Sequence, residues 1–416
     1  MRTSTSDCCI VGAGPAGAIL GLLLARQGLQ VTVLEAMHDF ERDFRGDTLM
    51  PSTLELVDQL GLTEQLRQLP HATFQEMRIH TPDGPVAYLE VGQLSTAFPY
   101  FVTVPQARFL ELITAEASRY PGFQLVLGAR VRELVEEAGT VVGVRYEAVD
   151  GPAEVRAPLT VGADGRFSKV RQLGGFELVR SDQPCDVLSF RLPARQTGEP
   201  GLYAGRGQGY AVIVPRAGEW QVGYTLPKGG YRALRDAGLP ALRDAVAGLV
   251  PWLADDLAAL ESWSQTSLLS VESGRVRQWY RAGVLLIGDA AHVMSPVGGV
   301  GINCAIQDAV LTARVVGPKL GAGAPRLEDL AWVQQAREWQ VWLTQACQRV
   351  MQHRIMDGPG GVPGLLFRVR LTRRLISRVM ALGPSRDNTA QCSPGSGASF
   401  ALPKIRWLPS RAARRA

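Results

Sequence analysis

The chain has 416 residues, of which 46% are hydrophobic and 20% are charged, with a formal net charge of +5. This length predicts two or three domains, and the absence of a run of about 20 apolar residues argues against a membrane-spanning helix. Residues 385–416 carry six Lys and Arg and one Asp, so the rest of the chain is neutral and does not indicate nucleic-acid binding. The six cysteines show no C-x-x-C or zinc spacing, which favours unpaired thiols, no metal site and a cytoplasmic location.

The first predicted element is a buried strand over residues 8–11, followed by a glycine-rich turn and a helix. The residues of this turn and of the helix start are Gly12, Gly14, Ala16 and Gly17. In the G-x-G-x-x-G pattern the first glycine permits a tight turn, the second lets the backbone approach a pyrophosphate, and the third lets helix and strand pack closely. A second strand, residues 30–34, ends at Glu35, which is placed to accept hydrogen bonds from a ribose diol and to repel a 2′-phosphate. This context predicts a dinucleotide site.

The middle of the chain is predicted to contain helices and mostly antiparallel strands. The predicted helices are 53–60, 106–119 and 231–259, the last broken at Pro240 and Pro251. The predicted strands are 74–80, 85–90, an antiparallel run over 123–127, 129–136, 141–148 and 153–157, and further strands between 185 and 226. Another strand, 159–163, ends at Asp164 and Gly165, a pair that is typical of a turn.

A second glycine-rich motif begins at Leu286, 277 residues after Cys9 of the first. A strand over 283–288 leads to Asp289, whose carboxylate emerges where α/β sheets bind their ligands. The loop and helix start that follow contain the residues Pro296, Gly298, Gly299, Gly301, Ile302 and Asn303. Such a loop can wrap a flat ring, and the N-terminus of the next helix stabilises negative charge on that ring. Two motifs in this order predict a long dinucleotide held at both ends, which points to FAD.

Three segments of the chain resemble the class A flavoprotein monooxygenases, the family of p-hydroxybenzoate hydroxylase and the ubiquinone-pathway hydroxylases. They are the motif at 9–17, the sequence Ala-Asp-Gly-Arg-Phe-Ser-Lys-Val-Arg at 163–171, and the motif beginning at 286. The segment Arg45-Gly46-Asp47 with Pro51 also resembles the part of these enzymes that passes beside the flavin. The resemblance covers about residues 7–382. The chain departs from the family at Gln106, where many relatives carry Arg, and at Ala305, where many carry Gly.

The resemblance implies non-covalent FAD as cofactor and NAD(P)H as co-substrate. It implies a hydroxylase that forms a flavin C4a-hydroperoxide and oxygenates an aromatic or polyketide-like small molecule. Cofactor contacts are implied for Asp289 at the ribitol, for Asp164 and Gly165 near the pyrophosphate, and for Gln106. Catalytic roles beside the flavin are implied for Arg45 and Pro296. His292 is interpreted as a structural hydrogen-bonding residue rather than as a general base.

The predicted fold class is α/β. A Rossmann-like FAD-binding domain of the glutathione-reductase type carries an inserted antiparallel β-sheet substrate domain and C-terminal helices. The predicted boundaries are 1–72, 104–178 and 268–325 for the FAD-binding domain, 73–103 and 179–267 for the substrate domain, 326–383 for the helical region, and 384–416 for a disordered basic tail.

Two other functions stay open. One is a flavin oxidoreductase of the same fold that does not oxygenate, such as a prenyl-chain reductase or a halogenase. The W-x-W-x-I-P signature of flavin halogenases is absent from the sequence. The other is a flavin-binding protein without turnover, which would not oxidise NADPH when a substrate is added.

The substrate is less well predicted than the cofactor. Aromatic residues that are candidates for lining a pocket are Phe98, Tyr100, Phe101, Phe190, Tyr203, Tyr210, Trp220 and Tyr224. The expected partner is a small hydrophobic molecule, and the expected assembly is a monomer or a homodimer. Residues 365–382 have an apolar face and an Arg-rich face, which favours packing on the enzyme over binding to a membrane surface.

Overall fold

The structure is a computed structural model that describes residues 1–41, 47–82, 84–92, 94–205 and 209–356. Arg45, the predicted amphipathic segment 365–382 and the basic tail lie outside these ranges. The α-helices of the described chain are α1 (Pro15–Ala25), α2 (Pro51–Gln59), α3 (Thr63–Gln68), α4 (Gln106–Ala117), α5 (Lys169–Leu173), α6 (Tyr231–Ala237), α7 (Leu239–Leu249), α8 (Gly301–Leu320) and α9 (Leu327–Met356). None of these helices is long and apolar enough to cross a membrane.

The β-strands of the described chain form five sheets. They are β1 (Arg2–Thr5), β2 (Cys8–Val11), β3 (Val31–Glu35), β4 (Thr48–Leu49), β5 (Ala72–Phe74), β6 (Glu76–Thr81), β7 (Gly84–Glu90), β8 (Phe101–Thr103), β9 (Phe123–Leu127), β10 (Arg130–Glu137), β11 (Thr140–Ala148), β12 (Gly151–Arg156), β13 (Thr160–Gly162), β14 (Leu178–Ser181), β15 (Cys185–Pro193), β16 (Gly201–Ala204), β17 (Tyr210–Arg216), β18 (Glu219–Pro227), β19 (Ser267–Leu269), β20 (Ser273–Val276), β21 (Tyr280–Arg281), β22 (Val284–Leu286) and β23 (His292–Val293).

A six-stranded sheet carries both glycine-rich motifs. Its order is β21-β22-β13-β2-β3-β9, and all pairings except that of β21 are parallel. Every residue of β2 is buried, as a parallel strand covered on both faces requires. The prediction that 123–127 belongs to an antiparallel run is wrong, because β9 pairs in parallel with β3. An apolar run of this length reveals a strand but not its partner.

A separate four-stranded sheet has the order β1-β12-β11-β10. Its strands β10, β11 and β12 are antiparallel, as predicted. Strand β1 was not predicted, because its four residues are polar and exposed and show no strand pattern. It pairs in parallel with β12.

A seven-stranded sheet, β19-β15-β18-β17-β16-β6-β7, forms the second large sheet. The predicted antiparallel sheet is in fact mixed, because β6 and β16 are parallel, with Ile79 opposite Leu202. Hairpins impose antiparallel pairing, whereas these two strands are joined by more than 100 residues of chain. The strand predicted at 74–80 is divided at Gln75 into β5, which joins a small sheet with β4 and β8, and β6.

The two faces of the seven-stranded sheet pack against different partners. On the helix-facing side, Phe190 and Val222 form a core with Leu242 and Val246 of α7. On the loop-facing side, Leu202 and Tyr210 pack with Met50, Phe101, Val297 and Val300. Val297 belongs to residues 295–299, named here the cofactor loop because of its predicted role. The sheet therefore presents one face to the predicted flavin site.

Proline positions explain where two helices begin. The predicted helix 231–259 is divided into α6 and α7, and Pro240 lies in the first turn of α7. Proline is tolerated there because the amide it lacks has no partner within the helix. Pro251 begins a short 3-10 helix rather than continuing α7.

Candidate cofactor-binding site

The two glycine-rich motifs meet in the structure, although they are far apart in the chain. Gly288 has a φ of 58°, and a Cβ built on it would lie 3.3 Å from the Cβ atoms of Ala16 and Ala305. Ala16 belongs to α1 and Ala305 to α8, so the turn of the second motif lies between the helices of both motifs. Ala305, a departure from the family, is thus accommodated by a glycine opposite it.

The first turn is tightly constrained by the strand next to it. Gly12 has a φ of 99°, and a Cβ on it would lie 2.5 Å from the carbonyl oxygen of Ala163. Helix α1 then begins with Pro15, and its N-cap residue Gly14 makes no side-chain hydrogen bond to the helix. The first N–H groups of a helix have no intrahelical partners, so those of α1 can donate to an anion at this edge of the sheet.

Glu35 ends β3 and is 5% exposed. Its Oε2 accepts a hydrogen bond from the N–H of Ala13 at 2.8 Å, and its Oε1 accepts one from the N–H of Met37 at 3.1 Å. The carboxylate therefore holds the glycine-rich turn in place. It also occupies the position at which the motif predicts a ribose contact.

Asp164 acts as a cap for the short helix α5. It accepts hydrogen bonds from Ser168 Oγ at 2.5 Å, from Lys169 N at 2.6 Å and from Val170 N at 3.1 Å. Burial raises the pKa of this carboxyl group, and the three hydrogen bonds oppose that shift. Sequence reasoning did not predict this capping role, which accounts for both carboxylate oxygens within the protein.

Arg171 connects the Asp164 segment to the second motif. Arg171 is 5% exposed. Its guanidinium donates to the carbonyl oxygens of Asp289 and Ala290 at 3.3 and 3.0 Å. Burial lowers its pKa, and the neighbouring Asp164 opposes this. Asp289 lies in a short 3-10 turn that begins two residues after β22, beyond the carboxyl end of the strand, where ligands bind in such sheets.

The cofactor loop leads directly into α8. Pro296 is exposed, whereas Ser295 and Val297 on either side of it are buried. Helix α8 begins at Gly301, and the described chain provides no side-chain cap and no acidic residue in its first turn. Gly298, Gly299, Gly301 and Ile302 lie together here, as predicted from the motif.

Asn303 has a different side-chain role from the predicted cofactor contact. Its Oδ1 accepts from Met50 N at 2.9 Å and from Thr53 Oγ1 at 2.7 Å. Its Nδ2 donates to the carbonyl oxygens of Thr48 and Gly299. The side-chain amide thus joins α2 and β4 to the loop.

A buried cluster of charges lies behind the second motif. Asp308 accepts from His292 Nε2, from Gly288 N and from Arg337 Nε at 2.6, 2.9 and 2.6 Å. Burial would raise the pKa of Asp308, but His292 and Arg337 more than offset this and lower it to about 2. His292 is 1% exposed and its Nε2 is bonded to Asp308, which agrees with its interpretation as a structural residue.

A second buried ion pair was missed by sequence reasoning. Asp47 pairs with Arg216, which also donates to Gln221 Oε1 at 2.9 Å. The N–H of Gln106 donates to the other oxygen of Asp47 at 3.3 Å. Burial raises the pKa of Asp47 to about 6, although Arg216 and Arg191 lower it. The pair links the segment after Arg45 to the loop-facing side of the seven-stranded sheet; a lone Asp and a lone Arg 169 positions apart gave no signal.

The candidate pocket aromatics are divided among three places. Phe101 and Tyr210 belong to the core that includes Val297, next to the cofactor loop. Phe98 and Tyr100 line a cavity of about 500 Å³ between α2, α3 and strands β5 and β8. The others lie in the core on the helix-facing side of the sheet, namely Phe190, Tyr203, Trp220 and Tyr224. Of these aromatics, only the first pair belongs to the core that includes the cofactor loop, and no predicted cofactor residue lines the cavity.

The arrangement fits a dinucleotide. Two uncapped helix N-termini, those of α1 and α8, belong to the motifs that follow β2 and β22, two strands of the six-stranded sheet that are separated by β13. They suit an anionic pyrophosphate and an electron-rich ring. Residues 5–329 match a protein family described as "FAD binding domain". The chain belongs to this family. FAD is therefore its cofactor, and the predicted resemblance to flavoprotein monooxygenases is confirmed.

Relatives within the family are named as monooxygenases. The chain is 36% identical over 307 residues to 6-methylpretetramide 4-monooxygenase of Streptomyces rimosus, covering 73% of each protein. It is 29% identical to 12-dehydrotetracycline 5-monooxygenase/anhydrotetracycline 6-monooxygenase of S. rimosus subsp. rimosus, over 77% of this chain and 64% of that protein. A crystal structure of PqsL, "a probable FAD-dependent monooxygenase" from Pseudomonas aeruginosa, has a TM-score of 0.75 at 23% identity and covers 85% of this chain and 97% of that one. This last likeness concerns the fold alone.

Proposed function

We propose that this chain is an NAD(P)H- and FAD-dependent monooxygenase that hydroxylates an aromatic or polyketide-like small molecule. The observation that carries the proposal is the position of Gly288 between Ala16 and Ala305, which brings the two glycine-rich motifs together in the fold. The names of the Streptomyces relatives support a substrate of this class.

We assign the cofactor contacts to the following groups. The N-terminus of α1 at Gly14 holds the pyrophosphate, Glu35 accepts from the adenosine ribose, and Asp289 accepts from the ribitol. The cofactor loop and the first N–H groups of α8, from Gly301 to Asn303, bind the ring. Bound FAD supplies hydride acceptance from NAD(P)H and activation of dioxygen.

The protein's own contribution is to orient the substrate and exclude water. Tyr210, Phe101 and Val297 pack together between the sheet and the cofactor loop, and we propose that this apolar region borders the aromatic substrate. Arg45 and Pro296 remain the proposed catalytic positions beside the flavin. The buried pair of Arg216 and Asp47 lies at the other end of β17, the strand that begins at Tyr210.

We also propose a division into domains on these lines. The Rossmann-like FAD-binding domain would comprise 1–72, 104–178 and 268–325, and the substrate domain 73–103 and 179–267. The six-stranded parallel sheet supports the first, and the seven-stranded sheet supports the second. Residues 326–383 form the proposed C-terminal region, of which α9 is the described part.

The test uses the purified full chain. We expect yellow protein that releases FAD on denaturation, oxidises NAD(P)H faster when an aromatic substrate is added, and transfers one atom of ¹⁸O₂ to the product. Oxidation of NAD(P)H with a reduced product and no labelled oxygen would indicate a reductase of the same fold. Colourless protein that does not take up FAD would contradict the proposal.

A further inference from the structure

Helix α9 presents a face of buried glutamines to the second motif. At 100° per residue, four of them project within about 60° of one another. They are Gln334, Gln345, Gln348 and Gln352, each no more than 8% exposed. Buried side-chain amides on a helix require hydrogen-bond partners outside it, because the backbone groups of the helix bond to one another.

Two of these glutamines, Gln345 and Gln348, donate to backbone carbonyl groups in the cofactor loop or in the strands next to it. Gln345 Nε2 donates to the carbonyl oxygens of Gly274 and Val293, at 3.0 Å each. Gln348 Nε2 donates to the carbonyl oxygens of Ser295 and Val297, at 2.8 Å each. The two acceptors of Gln348 thus flank Pro296, which is the proposed flavin-contacting residue of the loop.

The chemistry of these neighbours fixes the orientation of the Gln348 amide. Both are carbonyl oxygens, so only the NH₂ group can face them. Ser295 and Val297 are 2% and 6% exposed, so water does not readily replace the amide as donor. The Oε1 of Gln348 is buried and has no hydrogen-bond partner within the described residues. The side chain is therefore held by its two donated bonds.

We propose that Gln348 is a positioning residue that sets the conformation of the cofactor loop at Pro296. It reaches the loop from a separate helix, α9, and spans the proline with one amide. The effect on catalysis rests on the proposed function, whereas the effect on the loop does not. Gln345 makes the same number of bonds to backbone outside the loop and provides a matched comparison.

The first test compares Gln348→Met with Gln345→Met and with Gln335→Met, an exposed glutamine of the same helix. Methionine keeps the length of the side chain and removes the donors. In the apoprotein, we expect faster amide hydrogen exchange over residues 295–300 in Gln348→Met, and unchanged exchange there in Gln335→Met. Gln345→Met should lower the melting temperature with a smaller effect on that segment.

In the loaded enzyme, Gln348→Met should weaken FAD binding about tenfold, the factor expected for one ordinary hydrogen bond. We expect a shifted flavin absorption spectrum and a lower kcat with little change in the substrate KM. Gln345→Met should leave the spectrum unchanged. If both variants lose stability equally and neither changes the spectrum or the local exchange, Gln348 is only structural and the proposal is overturned.

A second variant, Gln348→Glu, keeps the proposal testable if the methionine variant does not fold. Burial raises the pKa of a carboxyl group, and the protonated acid can donate one of the two bonds. Loop exchange relative to wild type should therefore increase with pH, as the carboxylate that forms repels both carbonyl oxygens. A ratio that does not change with pH would contradict the proposal. A wild-type chain that binds no FAD would contradict the proposed function but leave the exchange test intact.

Discussion

Asp308 Oδ2 lies 2.6 Å from His292 Nε2 in the interior, and the same oxygen accepts the N–H of Gly288. One carboxylate on α8 thereby holds the turn of the second motif from behind. Arg337 of α9 binds the other oxygen, so the carboxylate joins three segments of the chain. Its lowered pKa shows that the charged form is the one that stabilises the fold.

Asp308 should make stability depend on pH in the acid range. Its folded pKa of about 2 is below that of an unfolded Asp, so its stabilisation is present above about pH 4 and is lost as the pH falls toward 2. Linkage gives about 2 kcal/mol for this difference. Urea unfolding of wild type and of Asp308→Asn should be measured between roughly pH 2.5 and 7. The difference between their free energies of unfolding should decrease as the pH falls. The exposed Asp244 on α7 provides the control: Asp244→Asn should show no such trend.

Asp47 should show the opposite dependence. Its folded pKa is raised to about 6, so its contribution to stability is greatest below about pH 4 and is lost as the pH rises through about 6. Between roughly pH 5 and 7.5, wild type should lose about 1 kcal/mol relative to Asp47→Asn, measured by the same unfolding experiment. A constant difference over this interval would show that Asp47 is ionised throughout.

Two effects of a side chain at Gly288, its close approach to neighbouring atoms and the strain of a positive φ, can be measured separately. Gly288→Ala and Gly218→Ala both place a side chain at positive φ, which costs about 1–2 kcal/mol. Gly218 has no atom within 4 Å of the added Cβ, whereas Gly288 meets Ala16 and Ala305. We expect both variants to melt at lower temperature, but only Gly288→Ala to lose FAD affinity. Equal FAD affinity in the two variants would remove Gly288 from the site.

Asp289 should be required for cofactor binding. Removal of a charged hydrogen-bond acceptor in Asp289→Ala should weaken FAD binding about 10- to 100-fold, as measured by titration of the apoprotein. Asp289→Asn retains the shape and one acceptor, so its loss should be smaller. If Asp289→Ala retains both FAD and activity, the assignment of the second motif fails.

The two faces of the seven-stranded sheet should respond differently to substitution. Val212 lies on the loop-facing side with Tyr210, and its neighbour Ile213 is buried on the helix-facing side. Val212→Ala should raise the substrate KM severalfold with little loss of stability. Ile213→Val should cost about 0.5–1.5 kcal/mol of stability and leave KM unchanged. A KM effect from Ile213→Val alone would place the substrate on the other face.

Much of the cofactor site could be predicted from the sequence because its signals are local. The G-x-G-x-x-G turn, the acid at Glu35 and the run from Asp289 to Asn303 each combine special residues within a few positions. Local patterns also located α4, β9 and the start of α8 to within two residues. These features depend on backbone geometry and on residue periodicity, and both can be read from a single short segment.

Partners from distant segments could not be predicted. Nothing in the sequence near Asp47 indicates Arg216, and nothing near Gln348 indicates Ser295. The parallel pairings of β9 with β3 and of β6 with β16 were missed for the same reason. The side chains of Asp164 and Asn303 were linked to a cofactor by their motifs, while their hydrogen bonds go to neighbouring protein groups.

The strand order of the six-stranded sheet has a consequence for synthesis on the ribosome. Strand β13 lies between β2 and β22, so the site draws on residues near positions 10, 160 and 285 of the growing chain. Until the residues from β22 through α8 have emerged, the nascent protein has only the adenosine half of its site, and β13 has an open edge. Cofactor capture is therefore a late event in biogenesis, and chains truncated before Gly301 should be targets for proteases or chaperones rather than partly active enzymes.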